Sequence, residues 1–448
     1  MTASKRQLGL VMATALVLGN MIGSGVFLLP ASLASYGGFS LIGWSISAVG
    51  ALLLAGVFYR LAKRAPRAGG PYAYSRAAFG DCIGFLVAWT YWVSGVVGLA
   101  AIAVACASYL SVFLPAMGAH PLYGALAALA AIWVVTVVNI VGVSQAGALQ
   151  VATTLLKLLP LVALALFGLF HFNPQLLAVG PHAGSPWHAI NISVAATLFA
   201  FLGVESASIP AGHVRDPEKT IPRATLLGTA IAAIVYIACT AAVLGLVPAA
   251  ELAQSQAPLA LAGRLLWGGW TSWLIAGAAA ISCFGALNGW SLIIGQFPQA
   301  VARDGLFPRC FGHESARSTP TVGLLVFAAI TSVMVLANYS RGMVAMFTFL
   351  VLLTTLGSLI AYLFSAMADV VLAQRSGRPL PVRDTALALL AFGFMLWAVI
   401  GAGTEAVHWT FVLLLVGLPL YVWMALRARR VGDADARPVA PETSVAVE

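Results

Sequence analysis

The residues best placed to do chemistry lie in one short stretch, Gly19-Asn20-Met21-Ile22-Gly23-Ser24-Gly25, inside the first long apolar run of the chain. Glycines at this density break a helix, and freed backbone N–H and C=O groups at membrane depth are tolerated where they line a cavity or meet a ligand. A half-helix beginning at Gly23–Gly25 directs unpaired N–H groups and a partial positive charge at such a cavity, which suits a carboxylate. The half that ends before it presents unpaired carbonyls, which suit an ammonium. With Ser24 and Asn20 adding side-chain hydrogen bonds, the stretch reads as a clamp for the α-carboxyl and α-amino groups of an amino acid. Close helix packing of the GxxxG kind is the alternative, but the glycines are denser than packing requires.

Glu205 and Lys157 are the acidic and basic side chains expected deep in the apolar spans. Each costs about 2.5–3.5 kcal/mol to insert, so both are functional candidates by default. Glu205 adjoins a second interruption, Phe199-Ala200-Phe201-Leu202-Gly203-Val204-Glu205, where it is placed to attract a cation or to titrate. Lys157 is expected to hold a charge between neighbouring helices or to pair with carbonyls at a helix end. Phe199, Phe201, Tyr91, Trp92 and Trp290 fall on segments expected to ring the cavity, where aromatics occlude a substrate or stack on a cation. Phe199 and Trp290 read as gates and Trp92 as packing; Met21, Ser94 and Leu202 complete the expected lining.

These groups need a membrane frame to hold them. Hydrophobic residues make up 61% of the chain and charged residues 8%, and the mean hydropathy is +0.97, outside the range of a soluble domain. Apolar runs predict about twelve spans, roughly at 8–34, 38–61, 81–112, 120–143, 147–171, 187–212, 222–247, 265–302, 319–338, 342–373, 383–402 and 406–427. The two interruptions fall in spans 1 and 6, five spans apart. An odd number of spans per repeat reverses orientation, so spans 1–5 (about 8–171) and 6–10 (about 187–373) read as inverted repeats, with spans 11 and 12 (about 383–427) appended. The expected organisation is one all-α transmembrane unit over 1–427 and a polar tail, 428–448, disordered from Val431 onward.

The formal charge of +9 is distributed by loop. Lys5 and Arg6, Arg60 to Arg76, Arg215 to Arg223, Arg303 to Arg317, Arg375 to Arg383 and Arg427 to Arg437 alternate with loops that hold almost no basic residues apart from Arg264 and Arg341. The positive-inside rule then places both termini in the cytoplasm and makes the excess a mark of topology rather than of nucleic-acid binding. The first run is followed by further spans and by no small-residue cleavage site, so it reads as a membrane helix rather than a signal peptide. The five cysteines lack metal-ligand spacing. His171, His182 and His188 form no hydrolase motif, which argues against an enzyme; two broken helices around one site argue for alternating access over a channel. Loop segments 67–74, 214–222 and 304–308 read either as short interfacial elements with a gating role or as Gly and Pro punctuation at helix entries.

The segments GNMIGSGVFLLPASLASYGG (19–38), GGPYAYSRAAFG (69–80), FLGVESAS (201–208), NGWSLIIGQ (288–296) and ARDGLFP (302–308) resemble the amino acid–polyamine–organocation superfamily, and within it the basic amino acid/polyamine antiporters. The resemblance runs from Gly19 to about Trp423. It implies a five-plus-five inverted-repeat fold with broken helices 1 and 6, and exchange of a cationic amino acid for a related amine or amino acid in a bacterial inner membrane. It assigns backbone groups and Ser24 to the substrate carboxylate, Tyr91 and Trp290 to the cavity wall, Glu205 to gating and Tyr72 to a cytoplasmic pH response. Three positions depart from the members that exchange arginine: Phe199 stands where they carry a Trp, Leu99 where they carry an Asn, and Lys157 where they carry no lysine. A lysine at that last place resembles a stand-in for a sodium ion. These departures favour the alternative, a neutral amino acid exchanger or a proton-coupled symporter. The expected partners are small amino acids or amines and membrane lipid, with no nucleic acid, no cofactor and no metal. Relatives are often dimers.

Overall fold

The computed structural model describes residues 9–64, 69–141, 147–180, 184–205, 214–313, 319–375 and 381–435. Its elements are helical: α1 (Leu10–Met21), α2 (Ser24–Leu33), α3 (Gly38–Arg64), α4 (Gly70–Phe79), α5 (Asp81–Leu110), α6 (Pro115–Ala119), α7 (Pro121–Val141), α8 (Gly147–Phe170), α9 (Pro186–Leu198), α10 (Pro217–Leu246), α11 (Ala249–Gln254), α12 (Pro258–Trp267), α13 (Gly269–Arg303), α14 (Thr321–Asn338), α15 (Met343–Arg375), α16 (Val382–Gly401) and α17 (Thr404–Asp435). Among the described residues, ten segments are long and apolar enough to cross a membrane, with α1 and α2 together forming the first. The two expected spans outside that set are α8, whose apolar described part runs from Lys157 to Phe170, and interrupted α9.

Both expected breaks are present. Helix α1 ends at Met21 and α2 starts at Ser24, with Ile22 (ψ 84°) and Gly23 (φ −123°, ψ −135°) outside helical geometry. Helix α9 tightens into a 3-10 turn at Phe199–Phe201, and Leu202 is extended. Gly203 then takes φ +97°, a left-handed backbone that a side chain disfavours. The remainder of the expected sixth span, 206–212, lies outside the described residues, as do Lys5, Arg6, Arg67, Arg317, Arg378 and Arg437.

The loop motifs form compact elements. Gly70–Phe79 is the short helix α4, Pro217 opens α10, and residues after Arg303 turn into a 3-10 segment at Arg309–Gly312. The expected start of span 8 moves from 265 to Gly269, because Gly268 at φ +94° ends the separate helix α12. The last helix reaches Asp435 rather than about 427. The Ala, Leu and Arg residues of 425–430 favour helix, which accounts for its continuation into the start of the tail; 436–448 lie outside the described residues.

Helices pack through small residues, as expected where lipid replaces water and close backbone approach supplies the attraction. A Cβ built on Gly323 of α14 would lie 2.1 Å from Gly295 O of α13. Helix α15 lies along α5, and α3 lies along α9 and α10. At the basic end, α3, α15 and α16 are joined by Arg60 and Arg64 on Asp369 and Asp384, while Arg375 Nη1 donates to Ala77 O of α4 at 2.7 Å.

Candidate functional site

The two breaks face each other across a central cavity. A Cβ on Gly25 would lie 2.9 Å from Ala200 Cβ and 3.2 Å from Ala200 Cα, so glycine is what lets α2 approach the 3-10 turn. Asn20, Met21, Gly23, Ser24 and Gly25 form one wall, and Phe199, Leu202 and Glu205 the facing one. Helix α5 adds Tyr91, Gly95, Gly98, Leu99 and Ile102; α13 adds Trp290 and Ile294; α15 adds Thr354, Ser358 and Tyr362. The centres of water-sized molecules have about 50 Å³ to occupy, several times the roughly 10–15 Å³ that one water requires.

Ser24 is 1% exposed, and its hydroxyl, which has no hydrogen-bond partner, lies at the uncapped N-terminus of α2. An orphan hydroxyl beside free helix N–H groups is a polar cradle ready for an anion. The carbonyls before it are already engaged. Lys157 Nζ donates to Gly19 O at 3.2 Å and to Ile22 O at 3.5 Å, Trp290 Nε1 to Asn20 O at 3.1 Å, and Gly23 N to Met21 O at 2.9 Å. Lys157 therefore joins α8 to the end of α1 and to the break that follows it.

Glu205, 1% exposed, accepts hydrogen bonds on both oxygens: from Tyr91 OH at 2.5 Å and from Tyr362 OH at 2.7 Å. It ties the second break to α5 and α15. Tyr72 lies apart from the cavity. Its hydroxyl donates to Asp304 Oδ2 at 2.8 Å, and Arg76 Nη1 pairs with the same oxygen at 2.9 Å. Burial first, and then the Asp304 carboxylate, push the Tyr72 phenol above its ordinary range. Its deprotonation moves away from neutral pH, so Tyr72 serves as a hydrogen-bond donor across that range.

Two expected lining residues stand behind the wall. Phe201 packs edge-on against Trp44 and Tyr236, with centroids at 6.0 and 5.4 Å, and Tyr236 OH donates to Ala200 O at 3.1 Å. Ser94 donates to Tyr91 O at 2.9 Å and meets Ser358 Oγ at 3.0 Å; with Thr90 and Thr410 it borders a smaller cavity of about 10 Å³. Trp92 donates to Ile294 O at 3.2 Å and packs against Trp89, Phe307 and Phe311, as its packing assignment expected. The sequence reading missed Thr354, Ser358 and Tyr362. Their i, i+4, i+8 spacing was a usable signal, because a buried acid such as Glu205 requires donors.

Gly25→Ala tests the close approach directly. The added methyl forces the breaks apart at a cost of about 1–3 kcal/mol, and exchange is expected to fall at least about tenfold while the purified protein keeps its oligomeric profile and helix content. Wild-type exchange rates would show that the breaks tolerate separation.

A membrane-spanning helical bundle with two interrupted helices meeting at a polar cradle defines a carrier rather than a catalyst. The amino acid permease family profile matches residues 8–425, and the chain belongs to that family, within the amino acid–polyamine–organocation superfamily. It is 35% identical over 337 residues to the cadaverine/lysine antiporter of Escherichia coli (strain K12), covering 75% of this chain and 76% of that protein. It is 32% identical over 431 residues to the putrescine transporter PotE of Haemophilus influenzae, covering 95% and 99% of the two chains, and 32% identical over 424 residues to PotE of E. coli (strain K12), covering 94% and 96%.

Proposed function

We propose that this protein exchanges a cationic amino acid for a related amine or amino acid across the bacterial inner membrane by alternating access. The observation that carries the reading is the orphan, buried Ser24 hydroxyl at the free N-terminus of α2. A substrate carboxylate docks there. The α-ammonium goes to the Phe201 and Leu202 carbonyls, since those of α1 already serve Lys157 and Trp290 and those of Phe199 and Ala200 serve Leu202 N and Tyr236 OH. Phe199 closes over the substrate, and the bundle carrying both breaks rocks against α5, α13 and α15. The alternation of basic loops supports cytoplasmic termini. The antiporter and transporter names of the relatives support cationic amino acid and amine substrates and exchange.

A second reading, a neutral amino acid exchanger or proton symporter, draws on the apolar part of the cavity wall. Leu99, Ile102 and Ile294 are apolar, and both oxygens of Glu205 are occupied by tyrosines. A ligand raises the melting temperature of the state it binds, so thermal shifts with lysine, arginine, cadaverine, putrescine, leucine and alanine separate the readings. Shifts confined to the cationic compounds support the first. Shifts confined to leucine and alanine replace it with the second. Proton coupling and dimerisation belong to the family resemblance, and exchange assays across a pH gradient and cross-linking in membranes address each.

Glu205→Gln turns one of two acceptor oxygens, each holding a tyrosine hydroxyl, into an N–H donor. Losing a buried partner costs about 1–3 kcal/mol, so exchange is expected to fall roughly tenfold, with a flattened pH profile. Unchanged rate and pH profile would remove Glu205 from gating.

A further inference from the structure

Tyr109, in the last turn of α5, is fully buried, with 0% exposure. Its hydroxyl donates to Phe27 O at 2.6 Å and accepts the Leu259 N–H at 3.3 Å. Phe27 lies in the first turn of α2, one helical step from Ser24, and its ring meets the Tyr109 ring edge-on at 5.8 Å. Leu259 lies in the first turn of α12, where backbone N–H groups have no intrahelical acceptor. One oxygen therefore joins α5 to the half-helix that carries the cradle and to a loop helix that contributes nothing to the cavity wall. Helices α11 and α12 both pack on α2 and form a cap over it.

We propose that the Tyr109 hydroxyl is a positioning group that fixes the seat of the α2 N-terminus and couples it to the α11–α12 cap. The functional consequence rests on the reading of that N-terminus as the carboxylate cradle. A phenol has one proton to donate and lone pairs to accept with, so donation to Phe27 and acceptance from Leu259 polarise each other. Seating of the cap on α2 is then felt within a turn of Ser24. Tyr109→Phe keeps the ring packing and removes both bonds at once. Leu259→Pro removes the N–H, in a first helical turn that tolerates proline, together with the buried leucine side chain, while Leu259→Ala keeps the N–H and loses that side chain, so the difference between the two reads the N–H.

The test is amide hydrogen exchange of the full-length protein in lipid nanodiscs, read in peptides covering 24–33 and 258–267, with 121–141 as a reference. Tyr109→Phe and Leu259→Pro are both expected to speed exchange of 24–33 roughly three- to tenfold, as loss of one net hydrogen bond does to local opening, with Leu259→Ala closer to wild type. Wild-type exchange of 24–33 in both variants overturns the proposal, and if Tyr109→Phe does not fold, Leu259→Pro decides by the same criterion. Lysine counterflow separates the coupling from the site it serves: a raised KM with little change in kcat places the effect on the cradle. Faster exchange of 24–33 with an unaltered KM keeps the coupling and removes the cradle assignment instead.

Discussion

Ser24→Lys will abolish exchange and leave the protein folded. The side chain of Ser24 faces the cavity from the first position of α2, with its hydroxyl unpartnered. A lysine there fills the space a substrate head group needs. It also sets an ammonium against the positive end of α2, close to the break where Lys157 already holds Gly19 O and Ile22 O. Both effects act on the bound state, because the lysine tail has the cavity to enter. Uptake is expected at background at every substrate concentration, with a size-exclusion profile matching wild type. Normal uptake by the variant would remove the α2 N-terminus from the site.

Asp369→Ala is expected to be the most destabilising single change outside the cavity. Asp369 is 1% exposed at its side chain and is held by Arg60 and Arg64, which also reach Asp384. Removing it leaves Arg60, 10% exposed, without its buried counter-charge. Breaking such a pair costs about 3–5 kcal/mol, and Asp384, 31% exposed, is too solvated to restore it. The melting midpoint in detergent should fall by several degrees or more, as a cost of that size implies, and Asp369→Asn should lose less because it keeps an acceptor. A midpoint equal to wild type would make this cluster a surface feature.

The first break was legible because the glycines there are denser than helix packing requires, and Ser24, Gly23 and Gly25 all reach the cavity wall. Glu205 was legible as a buried acid, but its partners were not, since nothing local relates it to Tyr91 and Tyr362, more than a hundred residues away on either side. Phe201 was placed in the wall because it lies, like Phe199, in the second interruption. Two residues apart on a helical turn, the two rings point to opposite sides, and Phe201 instead faces Trp44 and Tyr236. Ser94 missed by one position: the wall of α5 runs through Tyr91, Gly95, Gly98 and Ile102, and Ser94 lies just off that stripe. Helices α11 and α12 were hidden because, at six and ten residues, they are too short to span and fall almost wholly between the expected spans ending at 247 and beginning at 265.

The most direct measurement is uptake of labelled lysine into proteoliposomes of the purified protein, preloaded with nothing, lysine, cadaverine, putrescine or leucine. Exchange of cationic substrates through the Ser24 cradle predicts uptake from lysine-, cadaverine- or putrescine-loaded interiors, little from empty or leucine-loaded ones, and none in any interior for Ser24→Lys. Equal uptake into empty and loaded vesicles would contradict exchange, and stimulation by leucine alone would contradict the cationic substrate class.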